Sequence, residues 1–390
     1  MTRIKRLVDF FLAVLLTVPS YLLGKLCYGG KHIWLVGERP GQAQDNGYHF
    51  FKYMCQNHPE QRVYYVIKKD SPQRPRVEAL GSVLDYGSPK HWLMYFGCEA
   101  VVSAHILSLL PCDNWRYRRL AAKLKQKSKK TVFLQHGVTS ADIKSLYKEK
   151  TQVDLFTCGA KPECDYVQKQ FHYQNNEVVY TGFARYDALH DFTVKKQILI
   201  MPTWRTWLLK ENDLPNSEYI TEWNRVISDR SLIQAAADKG YRIVFYPHNQ
   251  MQFARDLFRS VDDNLVIADE EHYDVQTLLK ESALLITDFS SVFFDFAYMR
   301  KPVLFFHFDK ERHAAEHYQK GYFDYERDGF GKVAYTAPEL IENVKEMLQT
   351  QVVLSEEYSR RIDRFFPLYD EHNCERIYEA ICKMLQKTVE

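Results

Sequence analysis

The 390-residue chain has no Cys-x-x-Cys, no Asp-x-Asp, no internal repeat, no low-complexity segment and almost no net charge. Each absence excludes something. The eight cysteines, at 27, 55, 98, 112, 158, 164, 374 and 382, follow no framework spacing, so they read as reduced, mostly buried thiols of a cytosolic chain. Fifty-two Lys and Arg against 50 Asp and Glu leave +2, so no global field recommends a nucleic-acid partner and any polyanion site must be local. A mean hydropathy of -0.41 excludes a polytopic membrane protein. What is present, 46% hydrophobic and 14% aromatic residues, is the composition of a folded globular protein. At about 150 residues per domain, the length suits two or three domains that need no disulfide or metal to hold a core.

Long apolar runs are also scarce, and the main one lies at the N-terminus, from Leu7 to Leu23. A signal peptide needs a small-residue cleavage pair, which Gly24-Lys25-Leu26-Cys27-Tyr28 does not offer. A spanning helix needs about 20 apolar residues, and this run carries Asp9 and Pro19. The favoured expectation is a helix lying in the membrane interface, with Arg3, Lys5 and Arg6 at the headgroups and Phe10, Phe11, Leu15 and Leu16 in the acyl region. Spanning or signal use comes next, and a helix packed on its own domain is the purely structural alternative. Positive residues before the run keep the body on the cytoplasmic side.

From His32 onward, short β-branched or aromatic runs alternate with helical patterns. Strands are expected at 32–36, 62–67, 82–85, 100–104, 131–135, 154–158 and 177–181, with helices near 45–57, 89–97, 115–127 and 161–171. The pattern restarts with strands at 197–201, 241–246, 264–268, 283–287 and 302–306, and helices near 217–239, 249–258, 274–281 and 290–299; helices near 338–349, 355–365 and 372–387 finish the chain. Such alternation predicts an α/β fold of two Rossmann-like parallel-sheet domains facing across a cleft, after a membrane-associating helix. The expected boundaries are 1–28 for the helix, 29–190 for the first domain and 191–390 for the second.

Ligands bind such sheets at the C-terminal ends of the strands, so the chemistry is sought there. Strand 131–135 ends in His136-Gly137, an imidazole placed as a general base beside a glycine that lets a substrate come close. Strand 241–246 is followed by Pro247-His248, a reasonable partner for a phosphate. Strand 197–201 runs into Pro202-Thr203-Trp204-Arg205, and Lys320 precedes Gly321-Tyr322-Phe323-Asp324; Arg205 and Lys320 are candidate phosphate clamps. In the second half, Thr287-Asp288-Phe289-Ser290-Ser291 joins a buried strand to a helix start, whose free N–H groups and serine hydroxyls suit an anion. For each of these residues a purely structural role, a capped turn or an ion pair, is the alternative. Residues 116–130 carry eight basic side chains, among them Arg116, Arg118, Arg119, Lys123 and Lys125, suited to anionic lipid or to a solvated face.

Two look-alike motifs are set aside. His313-Ala-Ala-Glu316-His317 matches H-x-x-E-H of a zinc protease class but has no third ligand in view. Gly329-Phe-Gly331-Lys-Val-Ala334 matches G-x-G-x-x-A without an expected strand before it or a helix within it. The missing Asp-x-Asp removes the usual metal-carboxylate signature of another nucleotide-sugar transferase architecture.

Taken together, Gly37-Glu38-Arg39, Asp45-Asn46-Gly47, Gln135-His136-Gly137, Thr181-Gly182-Phe183-Ala184-Arg185-Tyr186-Asp187, Pro202-Thr203-Trp204-Arg205 and Thr287 to Ala297 leading to Lys301-Pro302 resemble the CDP-glycerol glycerophosphotransferases of teichoic acid synthesis. The resemblance implies a GT-B fold with an acceptor domain and a CDP-alditol-binding domain. It also implies cytoplasmic, peripheral (monotopic) membrane association and His136 as base; no cofactor and no metal-binding residue are expected from the sequence, which is silent on any need for a divalent ion. The substrates implied are CDP-glycerol and an undecaprenyl-diphosphate-linked saccharide. His248, a second catalytic-site histidine, would join Gly137, Arg205, Thr287, Asp288, Ser290, Ser291, Lys320 and Asp324 around the substrates. Where family members commonly carry Arg-Gly-Phe-Tyr, this chain has Lys320-Gly321-Tyr322-Phe323, and Lys supplies charge without a bidentate fork. Length without a large additional N-terminal domain points by analogy to priming or single addition. The rival readings are a CDP-ribitol or nucleotide-sugar transferase on the same fold, a zinc hydrolase, and a non-catalytic membrane scaffold.

Overall fold

The computed structural model describes residues 3–121, 129–208, 213–316 and 320–386, with side chains from Leu7 onward. Arg3, Lys5 and Arg6 as side chains, and Lys123, Lys125, Lys127 and His317, therefore lie outside the described residues.

Two compact units emerge, each built on one parallel sheet. The first sheet contains β1 (Trp34–Gly37), β2 (Val63–Ile67), β3 (Val83–Asp85), β4 (Ala100–Ser103), β5 (Lys130–Phe133), β6 (Leu155–Cys158) and β7 (Val178–Tyr180), in the order β3-β2-β1-β4-β5-β6-β7. The second contains β8 (Gln197–Ile200), β9 (Arg242–Phe245), β10 (Leu265–Ile267), β11 (Leu284–Thr287), β12 (Val303–Phe306) and β13 (Val333–Ala334), in the order β10-β9-β8-β11-β12-β13. The strands are nearly continuous apolar runs because helices cover both faces of each sheet. In each sheet the strand order reverses beside its first strand, between β1 and β4 and between β8 and β11, and such reversals open the crevice where ligands bind.

Twelve strands stand where the sequence places them, within two residues at each end; β13 is the addition, two residues long and too short to show a period. The expected helix 217–239 is two helices, Glu218–Ile227 and Arg230–Asp238, because Asp229 caps a new start by accepting from Leu232 N at 2.8 Å. Residues 249–257 form a 3₁₀ helix.

The domain limits differ from the expected ones at two places. Residues 370–390 belong with the first unit, and Thr139–Ile143 with the second. The reason for the first is explicit: Asp187 accepts from Asn373 N (2.8 Å), Asn373 Nδ2 (2.7 Å) and Cys374 N (2.9 Å), so it caps the last helix, Asn373–Leu385. That helix then buries Cys374, Ile377, Ile381 and Cys382 in the same core as Trp34, Val36, Val132 and Leu134. All eight cysteines are free, and five are buried.

The N-terminal helix, Arg3–Tyr28, is longer than the apolar run alone suggests, and Leu7–Tyr28 is long and apolar enough to cross a membrane. One face packs on helix Pro89–Gly97: a side chain at Gly24 would strike Leu93 O, and one at Gly97 would strike Gly24 O, so only glycines permit this approach. Ala13 is buried, and Thr17 Oγ1 lies 2.7 Å from Tyr117 Oη. The opposite face presents Phe11, Leu12, Leu15, Leu22 and Leu26 to the exterior, whereas Phe10 is partly buried against the core.

Candidate functional site

In the first unit the strand ends converge on His136. Val132 and Leu134 point into one core, and strand alternation would send residue 136 to the same face. Gln135 prevents this by adopting a left-handed backbone, φ 60°. His136 is thereby exposed, while Leu134 and Gln135 are buried. Its ring stacks on His105, which follows β4, with centroids 4.6 Å apart and planes 10° from parallel. Although the His136 ring reaches solvent, the surrounding protein holds its pKa below the ordinary histidine value; Asp45 pulls the other way, and Arg185 and Arg39 push it further down. His105 is pushed down to about 3, by burial first and then by His136 and Arg39. Both rings are therefore neutral near pH 7, which leaves His136 able to accept a proton.

The turn before His136 is held from several sides. Gln135 Nε2 donates to Thr157 O (2.7 Å) and to Glu163 Oε1 (3.1 Å). Asn46 Nδ2 donates to Leu134 O and Gln135 O, and Asn46 Oδ1 accepts from Arg185 N. Beneath these, the buried Glu38 accepts from the backbone N–H of Gln44, Asp45 and Tyr48, filling the N-terminal end of helix Asn46–Asn57 with the protein's own carboxylate. Sequence reading reaches Glu38 and Asn46 only through a resemblance, and misses His105 and Glu163.

In the second unit, Arg205 is fully buried rather than open to a ligand. Its Nε and Nη2 grip Asp309 at 2.6 and 3.0 Å, and Nη1 lies 2.9 Å from Asp288 Oδ2. Burial opposes the guanidinium charge, but the two carboxylates more than offset it and its pKa is raised. Full burial pushes the Asp288 carboxyl up against the pull of Arg205. Asp288 Oδ1 also accepts from Thr203 N at 2.8 Å, and Thr287 Oγ1 donates to Met201 O at 2.6 Å. Arg205, Thr287 and Asp288 thus knot the ends of β8 and β11 together across the strand-order reversal. Asp309, 104 residues from Arg205, is the partner that sequence reading misses. Phe289 is sandwiched between His307 (4.1 Å) and His313 (3.8 Å), which stiffens the loop from below.

Above this buried knot stand Ser290, half-buried, and Ser291, exposed. Ser291 occupies the cap position of helix Val292–Tyr298 without a side-chain cap bond, and Ser290 Oγ is 3.5 Å from Val292 N. His248 is half-exposed at the end of β9, 6.5 Å from the Trp204 ring centre. Its Nδ1 accepts from Gln250 N at 3.1 Å, so this nitrogen serves the turn after β9. Lys320, 82% exposed, extends from a separate loop and pairs loosely with Asp324 at 3.7 Å. Asp324 Oδ1 accepts from Glu326 N and Arg327 N, so it shapes its own turn. Of the zinc look-alike, His313 stacks on Phe289 and Glu316 pairs with Arg312 at 3.2 Å. Among the described residues, no group of three His, Cys, Asp or Glu side chains is placed to hold a metal ion.

The model of the family CDP-Glycerol:Poly(glycerophosphate) glycerophosphotransferase matches residues 25–383. The chain belongs to this family. It is 33% identical over 374 residues to the minor teichoic acid biosynthesis protein GgaB of Bacillus subtilis (strain 168), covering 92% of this chain and 40% of that protein. It is 23% identical over 359 residues to the teichoic acid poly(glycerol phosphate) polymerase of the same organism, covering 85% of this chain and 46% of that one. The chain therefore spans less than half the length of these two relatives. The structure of the wall teichoic acid polymerase TagF superimposes with a TM-score of 0.69 at 17% identity, covering 100% of both chains, and shows the fold: two parallel-sheet α/β domains of the GT-B type. One TagF structure of the same fold, TM-score 0.68 at 18% identity and covering 99% of each chain, is of a form soaked with CDPG.

Proposed function

We propose that this family member transfers glycerol phosphate from CDP-glycerol to a hydroxyl of an undecaprenyl-diphosphate-linked saccharide, releasing CMP. The observation that carries the reading is the His136 imidazole, turned out of the core by Gln135 at the C-terminal edge of β5, where burial by its surroundings lowers its pKa. In the proposed step, His136 takes the proton of the acceptor hydroxyl as its oxygen attacks the β-phosphorus of the donor. The new P–O bond forms as the bond from that phosphorus to the bridging oxygen breaks, and CMP leaves with the electron pair. Positioning and charge stabilisation supply most of the catalysis in such transfers. His248, Ser290, Ser291 and Lys320 are the groups exposed to hold the diphosphate. Arg205, Thr287 and Asp288 are assigned a supporting role, since their polar atoms are committed to each other, to Asp309 and to the backbone.

The membrane reading rests on the N-terminal helix. With one face fixed along its own domain through Gly24, Gly97 and Thr17, it is suited to lie on the cytoplasmic face of the membrane with Phe11 and Leu15 in the acyl boundary. Its exposed apolar face and the adjoining Trp115, Arg116 and Arg119 fit an anionic lipid interface.

The test is CMP release from CDP-glycerol, CDP-ribitol or a UDP-sugar, each with and without a lipid-diphosphate disaccharide. Release with CDP-glycerol and acceptor alone supports the reading, and the product mass separates one added unit from many. Release only with CDP-ribitol would move the donor to the other alditol. No donor binding at all would overturn the transferase reading.

A further inference from the structure

The left-handed turn that presents His136 is unusual because it falls on glutamine. Such a backbone costs a non-glycine residue about 1–2 kcal/mol and persists only where neighbours enforce it. Thr157, Glu163 and Asn46 all bond the turn, and the last is singular in its geometry. Asn46 is fully buried, and its single amide nitrogen reaches both carbonyls that flank the turn, Leu134 O at 3.2 Å and Gln135 O at 2.9 Å. Those two carbonyls belong to successive peptide units, so holding both fixes the rotation between them, which is the rotation that decides where His136 points.

Asn46 is itself rigid. It is the first residue of helix Asn46–Asn57, its Oδ1 accepts from Arg185 N at 3.1 Å, and Asp45 before it pairs with Arg185 Nη1 at 2.8 Å. Below, Glu38 accepts from Asp45 N at 2.7 Å and from Tyr48 N at 2.8 Å. A chain of satisfied bonds, buried at Glu38 and at Asn46, therefore runs from the end of β1 to the peptide before the imidazole, and satisfied polar networks of this kind specify a single arrangement.

We propose that Asn46 is a positioning residue for His136, acting by holding the two carbonyls on either side of Gln135. The proposal rests on the reading of His136 as the base. Without the amide donors, the turn relaxes toward an extended backbone, the imidazole swings back toward the Val132 and Leu134 side, and the donor site in the second unit is untouched.

The experiment compares wild type, Asn46→Ala, the near-isosteric Asn46→Asp and His136→Ala in the full chain. CMP release with CDP-glycerol and acceptor gives kcat and KM, and calorimetry with CDP-glycerol gives donor affinity. Both Asn46 variants are expected to lower kcat at least tenfold, to leave KM for CDP-glycerol and donor affinity within twofold, and to keep the wild-type circular dichroism. Asn46→Ala in the His136→Ala background is expected to lower the residual rate no further. Wild-type kcat in both Asn46 variants, beside an inactive His136→Ala, would overturn the positioning role while leaving the base in place. Wild-type turnover in His136→Ala would remove the base and the positioning role with it. Equal losses in both backgrounds, joint loss of kcat and donor affinity, or failure of both Asn46 variants to fold would make Asn46 a structural residue only.

Discussion

The two units share a strand order and use the residues at their strand ends in opposite ways. In the first, Glu38, Asn46, Gln135 and Glu163 are buried, mutually satisfied and directed at the backbone, and one imidazole is turned outward. In the second, a buried ion-pair knot of Arg205, Asp288 and Asp309 ties two loops, and several small or flexible polar groups stand exposed above it. The first helix after β1 has first-turn N–H groups taken by the protein's own carboxyls, Asn46 N by Asp45 and Tyr48 N by Glu38, whereas the helix after β11 begins on a serine that makes no side-chain cap bond. One fold thus turns a single imidazole outward in the first unit and leaves a helix start without a side-chain cap bond in the second.

The largest test of this contrast is His136→Ala. If the first unit exists to present that ring, turnover should fall by about 10²–10⁴-fold, the usual worth of a positioned general base. CDP-glycerol affinity measured by calorimetry should stay close to wild type. Equal loss of donor affinity would break the division of labour.

Arg205→Leu comes next and concerns stability. It leaves Asp288 and Asp309 buried without their cation, and removal of one partner of such a group costs about 3–5 kcal/mol. A lower unfolding midpoint is expected, with recovery when Asp288→Asn and Asp309→Asn are added. A midpoint unchanged by Arg205→Leu, with donor affinity lost instead, would restore Arg205 as a direct phosphate clamp.

That residue also shows how far sequence carries. A cation at the end of β8 is legible, and so are the strands, because parallel strands covered on both faces read as β-branched runs. Its burial is not legible, since the deciding carboxylate, Asp309, lies 104 residues away. The same holds for the last helix, whose docking on the first unit depends on Asp187, and for the turn at Gln135, since nothing local distinguishes a left-handed glutamine from an extended one. His136 is found because it ends a strand; the atoms that aim it belong to other strands and helices.

Glu38 provides a test with a defined pH window. Burial first, and Asp45 second, raise its pKa to about 7, against the pull of three backbone N–H groups. Because the folded value lies above the unfolded one, the folded state holds the proton more firmly. This contribution is fully present below the unfolded pKa and is lost as pH rises toward 7, by up to about 3 kcal/mol. Urea unfolding of wild type should show that decline between pH 5 and 7.5, and Glu38→Gln should flatten it. Equal slopes in the two proteins would mean that Glu38 stays ionised throughout, as a fixed counter-charge to its helix.

The smallest expected effect separates the two units most directly. In the first unit, a lost polar contact at Glu38, Asn46, Gln135 or Glu163 disturbs the fold, because all four are buried. Ser290 differs: its hydroxyl sits 3.5 Å from Val292 N, too long to hold the helix start firmly, and it is half open to solvent. Ser290→Ala should therefore leave the unfolding midpoint unchanged and weaken CDP-glycerol binding by about 1 kcal/mol, a several-fold rise in Kd. His248→Ala should act in the same direction through the loss of its imidazole, and the two losses should add if each meets a different phosphate oxygen. A fall in midpoint without a change in Kd would show that Ser290 caps the helix after all, and the two units would then use their strand ends alike.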